Sequence, residues 1–337
     1  MLTVPIIDIS GSFTDDGSRR RAVAAEIGRA CESIGFLMVT GHGVPRGLID
    51  EADGQSREFF NLPLEEKLEI ALDPQRNWRR GYRPLGGTKL AASRGEEAPS
   101  DLREQLVSGP EPVVGDPYYQ TPEARRFFAT NVWPRHPARL GDTWTAYYGE
   151  LSGLATHLMR LFALALDLPW RFFDARVDRH ITNLVSVNYP AQPEAPLPGQ
   201  LRAGPHTDFG SLTLLATDGT PGGLQVMAPG GEWTDIMPVP GAFIVNLGDL
   251  MAQWTNDRWR STYHRVINPP REVAGSSRRY SLVFFHQPNH DALIECLPGC
   301  VAPGAAPKYA PITSGAHLLG QLAKIHVPVP RREKVPA

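Results

Sequence analysis

Pro205-His206-Thr207-Asp208 and a distant His264 are the residues in this chain best placed to do chemistry together. In an extended segment, residues two apart point to the same side. His206 and Asp208 can therefore converge on one ion while Thr207 points away. His264 stands 58 residues later, in Thr262-Tyr-His-Arg-Val266, a run that reads as a strand. Two imidazoles and one carboxylate form one face of an octahedron and leave three positions open. That set suits non-haem Fe(II) binding a co-substrate and O2; zinc on the same ligands would make a hydrolase. Arg279-Tyr-Ser281 follows 15 residues after His264. On a strand, its guanidinium fork and hydroxyl share a face and can clamp a carboxylate. His286 and His290 are four apart, but Pro288 lies between them and denies a helix. The remaining histidines, including His42 in its Gly-flanked turn, read as structural.

After residue 180, short β-rich runs alternate with Gly/Pro turns: 181–189, 211–216, 224–227, 242–247, 262–267 and 280–285. This spacing predicts a β-sandwich or barrel. Upstream, strands are expected at 4–8 and 36–40. Helices are expected at 19–34 and 48–60, and a short one from Pro63. The strongest helix spans 143–166, where Trp144, Tyr147, Leu151, Leu154, Leu158 and Leu161 mark an apolar stripe. Residues 72–125 read as a long irregular stretch, a feature often tied to function. A last helix is expected over 313–325, followed by a loose tail at 331–337.

The chain has 337 residues, enough for one large domain or two ordinary ones. Its net charge of −2 excludes a strongly basic nucleic-acid binder. Apolar residues at 42% and charged residues at 21% exclude whole-chain disorder. The greasiest run, 161–166, stops at Asp167, short of a membrane span. The N-terminus lacks the pattern of a signal peptide. Cys31, Cys296 and Cys300 read as reduced thiols of a cytoplasmic protein.

Residues 181–290 resemble the catalytic core of the 2-oxoglutarate/Fe(II)-dependent oxygenases, in the subfamily similar to isopenicillin N synthase. The likeness runs through Pro205-His-Thr-Asp-Phe-Gly-Ser-Leu-Thr-Leu-Leu215, Gly223-Leu-Gln-Val226, Gly241-Ala-Phe-Ile-Val-Asn-Leu-Gly-Asp249, Ser261-Thr-Tyr-His-Arg-Val266 and Arg279-Tyr-Ser281. Val4-Pro-Ile-Ile-Asp8 and Gly41-His-Gly-Val-Pro45 extend it to the N-terminus. The resemblance implies a mainly β fold with helices (α+β), a double-stranded β-helix or jelly roll flanked by helices. It implies an N-terminal mixed region at 1–125, helical support at 126–180, the core at 181–290 and a C-terminal helix and tail at 291–337, one integrated catalytic domain.

It also implies Fe(II) on His206, Asp208 and His264, with 2-oxoglutarate and O2 as co-substrates. The 5-carboxylate of 2-oxoglutarate would meet Arg279, Ser281 and Tyr189. The expected reaction oxidises an unactivated C–H of a small molecule by hydroxylation, desaturation or cyclisation and releases succinate and CO2. One departure stands out: the family often has Asn two residues before the Tyr of Tyr189-Pro190, and this chain has Val187 there, with Asn188 adjacent. The Arg-rich stretch at Arg76, Arg79, Arg80, Tyr82 and Arg83 offers cations to an anionic substrate. Phe285 and His286 lie at a strand end near the expected pocket. The Arg- and Pro-rich composition points to bacterial secondary metabolism. A same-fold oxidase that uses no 2-oxoglutarate and a non-catalytic binding module remain alternatives. Neither nucleic acid nor membrane is an expected partner, and the oligomeric state is not legible.

Overall fold

In the computed structural model, which describes residues 3–73, 79–217, 223–302 and 304–325, the chain opens with strand β1 (Ile6–Asp8), helix α1 (Gly17–Ser33), strand β2 (Phe36–Thr40) and helices α2 (Arg46–Asn61) and α3 (Leu64–Leu68). Asp16 starts α1 by accepting the N–H groups of Ser18 and Arg19, donors that the first turn would otherwise leave unpaired. The stretch expected to be irregular contains β3 (Gly81–Arg83) and β4 (Glu104–Ser108) as well as short 3-10 turns. β4 escapes a pattern search because it begins Glu-Gln yet is buried throughout. Its polar side chains are matched inside the protein: Glu104 accepts from Lys67 Nζ at 2.9 Å, from Asn188 Nδ2 at 2.6 Å and from the Tyr82 hydroxyl.

Helix α4 (Leu140–Ala165) and the short α5 (Asp174–Val177) lead into the β-rich half. The α4 stripe is buried as its spacing requires, from Leu140 and Trp144 to Leu161 and Phe162. Strands β5 (Asn183–Tyr189), β6 (Ala203–His206), β7 (Leu212–Thr217), β8 (Leu224–Met227), β9 (Trp233–Asp235) and β10 (Phe243–Leu247) follow. After them come α6 (Asp249–Trp254), β11 (His264–Val266), α7 (Arg271–Ala274) and β12 (Arg279–His286). The chain then forms the hairpin β13 (Leu293–Ile294) with β14 (Ile312–Thr313), and helix α8 (Ser314–Ile325). Arg76 and the expected loose tail lie outside the described residues.

The eight strands from β5 to β12 divide four and four. β5, β12, β7 and β10 lie side by side in the larger sheet, whose full order is β1-β2-β10-β7-β12-β5-β4-β3; β6, β11, β8 and β9 form the smaller one. This is the jelly roll, and the N-terminal strands β1 to β4 extend both edges of its larger sheet. That sheet is buried on both faces, so its strands read as nearly continuous apolar runs. Leu184, Leu214, Val245, Leu282 and Phe284 pack outward with α1, α2 and α4 in one core. The alternate residues Val185, Val187, Leu215, Ile244 and Val283 pack inward with Ala203, Leu224 and Val266 of the smaller sheet in a second core. Among the described residues, no helix is long and apolar enough to cross a membrane.

The buried pair Lys67–Glu104 ties α3 to β4. Glu104→Leu leaves the Lys67 ammonium buried without its counter-charge and is expected to lower stability by about 3–5 kcal/mol, with part of the loss recovered in the Lys67→Met/Glu104→Leu double variant. Urea unfolding of the three proteins checks this.

Candidate metal centre and the cavities beside it

β6 ends on His206 and β11 begins on His264, and their antiparallel pairing sets the two residues opposite each other. The rings lie 4.3 Å apart. His206 Nδ1 donates to the Gly204 carbonyl (2.8 Å) and His264 Nδ1 to the Thr262 carbonyl (3.1 Å). A carbonyl only accepts, so both protons sit on Nδ1 and both Nε2 lone pairs remain open. Asp208 lies past the strand end, in the turn to β7. Its Oδ1 is 3.9 Å from His206 Nε2 and 3.7 Å from His264 Nε2. Its Oδ2 accepts from Thr213 Oγ1 at 2.5 Å and from Asn246 Nδ2 at 2.7 Å. All three side chains are buried, their ligand atoms lie within 4.8 Å of one another, and no second group of this kind occurs among the described residues.

The Asp208 turn is pinned by backbone. Asp249 N–H donates to the Asp208 carbonyl (2.7 Å) and Leu250 N–H to that of Gly210 (3.0 Å). A Cβ on Gly248 would fall 2.3 Å from the Gly210 oxygen, and one on Gly210 would fall 2.2 Å from the His286 oxygen. Only glycine allows this approach. Burial, and then the neighbouring His264, push the His206 pKa down to about 3. Burial opposes charge on Asp208, but the two imidazoles and the Asn246 and Thr213 hydrogen bonds hold its pKa below the ordinary carboxylate value. A neutral His206 beside an ionised Asp208 is in the protonation state a metal requires.

Behind this group, between the sheets, an inner cavity is walled by Phe36, Val187, Leu215 and Val283, among others, and reaches Arg279. Arg279 is 2% exposed. Its Nη1 donates to Ser281 Oγ at 2.9 Å, and its guanidinium carbon lies 5.3 Å from the centre of the Tyr189 ring. Its Nε has no hydrogen-bond partner, and among the described residues no carboxylate pairs with it. A buried cation with an open donor in an apolar chamber is suited to an anionic ligand. Val187 faces this chamber. Asn188 faces the other way, donates to Glu104 and accepts from Arg278 Nε at 2.8 Å. It therefore belongs to the buried network behind the sheet.

A second, outer cavity opens beside His206 and Asp208. Of the residues the sequence offers for substrate, Arg79 and Phe285 line it, and so does Arg83. Arg80 does not: it is 1% exposed and donates to the carbonyls of Arg79, Pro110 and Phe127. Tyr82 does not either, because its hydroxyl is held by Glu104. His286 is one residue past Phe285 and so faces away, bonding Ser211 Oγ through Nδ1 at 2.6 Å. Residues missed by the sequence reading are Arg103 and Gln105 beside or on β4, and Leu318, Leu322 and Ile325 of α8. Arg103, Gln105 and Val107 share the alternation of a strand, and the α8 residues recur at helical spacing. Neither pattern by itself names the cavity these residues line. His42 is structural, its Nε2 meeting the Gly241 carbonyl at 2.9 Å.

Two family models match the chain: one describing the 2OG-Fe(II) oxygenase superfamily over residues 181–288, and one described as non-haem dioxygenase in morphine synthesis N-terminal over 4–136. The chain is 38% identical over 315 residues to the 2-oxoglutarate-Fe(II) type oxidoreductase hxnY of Emericella nidulans, with 92% of this chain and 86% of that protein covered. It is 35% identical over 306 residues to the validamycin A dioxygenase of Streptomyces hygroscopicus subsp. limoneus, covering 90% and 82%. The crystal structure of a full-length Neurospora crassa protein in complex with alpha-KG and thymine matches with a TM-score of 0.81 at 32% identity, over 96% of this chain and 97% of that one. The chain belongs to the 2-oxoglutarate/Fe(II)-dependent oxygenase superfamily. It is a 2-oxoglutarate-dependent dioxygenase, with Fe(II) as its metal and 2-oxoglutarate and O2 as co-substrates.

Two histidines outside the metal group set an acid limit on stability. Burial pushes His180, which stacks on Tyr148, down to about 4 from an ordinary 6.5. Burial and then His180 hold His286 well below its ordinary value. Between pH 6.5 and 4 the unfolded chain takes up the proton that folded His180 refuses, so stability falls as pH falls, by up to about 1.4 kcal/mol per pH unit per group. Urea midpoints should be lower at about pH 5 than at about pH 7, and His180→Phe should narrow that gap.

Proposed function

We propose that His206, Asp208 and His264 hold the iron, that Arg279, Ser281 and Tyr189 hold the far carboxylate of 2-oxoglutarate, and that the outer cavity presents a small molecule whose unactivated C–H bond is oxidised. The observation that carries this reading is one interior shared by a three-ligand group and a buried guanidinium that no carboxylate among the described residues neutralises. Fe(II) with 2-oxoglutarate and O2 supplies the oxidising chemistry, decarboxylation to succinate and CO2 coupled to removal of hydrogen from the substrate. Everything else is positioning by this chain. The Gly204 and Thr262 carbonyls aim the two Nε2 atoms. Thr213 and Asn246 hold one oxygen of Asp208 and leave the other for the metal. The apolar walls between the sheets exclude water from the reacting centre.

Hydroxylation is the outcome we assign; desaturation and cyclisation start from the same C–H and are decided by the substrate. A relative named for validamycin A and a related structure holding thymine support a small-molecule substrate. On the Arg- and Pro-rich composition we place the reaction in bacterial secondary metabolism, in the cytoplasm. Residues 181–290 are the catalytic core in this reading, supported by 1–125, 126–180 and 291–337. The pairing of β2 with β10 in one sheet supports their working as a unit.

Anaerobic protein given Fe(II) and 2-oxoglutarate should develop a weak visible absorption, and admitting O2 should yield slow succinate without any substrate. His206→Ala, Asp208→Ala and His264→Ala should each abolish both signals while circular dichroism stays native. A variant that keeps both signals removes that residue from the site. Arg279→Leu should weaken 2-oxoglutarate binding by about 2–5 kcal/mol, and Ser281→Ala by about 1 kcal/mol. Equal losses in titrations of the two variants would contradict the clamp.

A further inference from the structure

The outer cavity is unbalanced in charge. Arg79, Arg83 and Arg103 line it, and Asp208, which faces the two imidazoles, is the one acid among its described lining residues. Arg103 has Asp101 at 3.9 Å. Asp101 is already engaged by the Thr88 hydroxyl and by the N–H groups of Leu90 and Gly204. Arg83 donates to the neutral Gln105 at a long 3.5 Å, and among the described residues no carboxylate pairs with it. Burial and then the repulsion of Arg103 lower the Arg83 pKa to about 10, and burial followed by Arg80 and Arg83 lowers Arg79 to about 9. Each stays cationic at neutral pH. Arg103 is buried and Arg83 is partly exposed, and like charges side by side on one wall favour an anionic ligand. The same cavity is lined by Leu318, Leu322 and Ile325 of α8, with Val185 and Phe209.

We infer that the substrate is a small carboxylic acid whose carboxylate pairs with Arg83 and Arg103, with Arg79 alongside, and whose apolar body lies along α8 beside Asp208 and His206. This rests on the reading of the outer cavity as the substrate site and names the class of molecule it takes. A guanidinium fork matches a carboxylate in shape as well as charge. The carboxylate of 2-oxoglutarate has its own partner in Arg279; Arg103 lines the inner cavity as well as the outer one, whereas Arg83 lines the outer cavity alone and is left for the second ligand.

The test offers the enzyme, loaded with Fe(II) and 2-oxoglutarate, matched acids and primary amides: cyclohexanecarboxylate and its carboxamide, indole-3-acetate and its amide, 3-phenylpropanoate and its amide. Succinate above the substrate-free rate is one readout. Calorimetric binding of the same compounds to protein loaded with Zn(II) and 2-oxoglutarate is the other. Acids should bind and stimulate, and amides should do neither. Arg83→Gln should raise the KM of the best acid by about tenfold or more, and Arg83→Lys should restore part of it. Amides matching acids, or no acid binding at millimolar concentration, overturns the inference. So does an Arg83→Gln variant whose 2-oxoglutarate KM rises by the same factor, since the cluster would then serve the co-substrate. Absence of substrate-free succinate in iron-loaded enzyme would instead count against the oxygenase site itself, and the calorimetry would still decide the preference for acids.

Discussion

Side chains two apart along a strand face the same way, and the larger sheet has to serve two interiors at once. One face must be apolar enough to carry α1, α2 and α4; the other must hold a charged site. β12 shows how tight this constraint is. Arg279, Ser281, Val283 and Phe285 look inward, while Tyr280, Leu282 and Phe284 belong to the helical core. A slip of one residue would drive the guanidinium into the packing under the helices and turn Tyr280 and Leu282 toward the cavity. The outer core therefore does more than stabilise the fold. By fixing which residues of β12 face outward, it fixes where Arg279 and Ser281 sit relative to the His206–His264 pair on the smaller sheet.

Polar groups in such an interior must each find a partner, and the structure meets this with backbone where it can. Carbonyls two residues upstream hold both imidazoles, and a glycine pair lets the Asp208 turn rest on the start of α6. Where side chains are used, they come from neighbouring strands. Thr213 and Asn246 face each other across β7 and β10 and share one oxygen of Asp208. The Glu104 network answers the same need behind the sheet. It also accommodates Asn188: alternation along β5 turns this residue to the far side, where Glu104 accepts its amide hydrogen bond.

Much of this was readable before any coordinates. Six of the strands from 181 onward, the long helix and the His206, Asp208 and His264 grouping follow from β-rich runs between turns, helical spacing and residue chemistry; the short β6 and β9 were not among the expected runs. β3 and β4 did not, because their polar residues are satisfied by partners distant in sequence, which no local pattern reveals. Arg80 and Tyr82 were drawn into the substrate set by their proximity to Arg79, yet neighbours on a chain diverge in space. One guanidinium enters a cavity and the next ties down three carbonyls. His286 fails for the simpler reason that alternation places it opposite Phe285. The wall formed by α8 was recognisable as a helix, but nothing local says which distant cavity a terminal helix will cover.

That wall bears on how readily such an enzyme could change its diet. Leu318, Leu322 and Ile325 lie on a helix that supplies no side chain to the metal group or to the inner chamber. Changes at these positions reshape the wall of the outer cavity and involve no residue of the sheets or of the His206, Asp208 and His264 group. If the outer cavity takes the substrate as proposed, a lineage would change its guests by editing one terminal helix, and a laboratory library confined to those three codons would sample the same freedom.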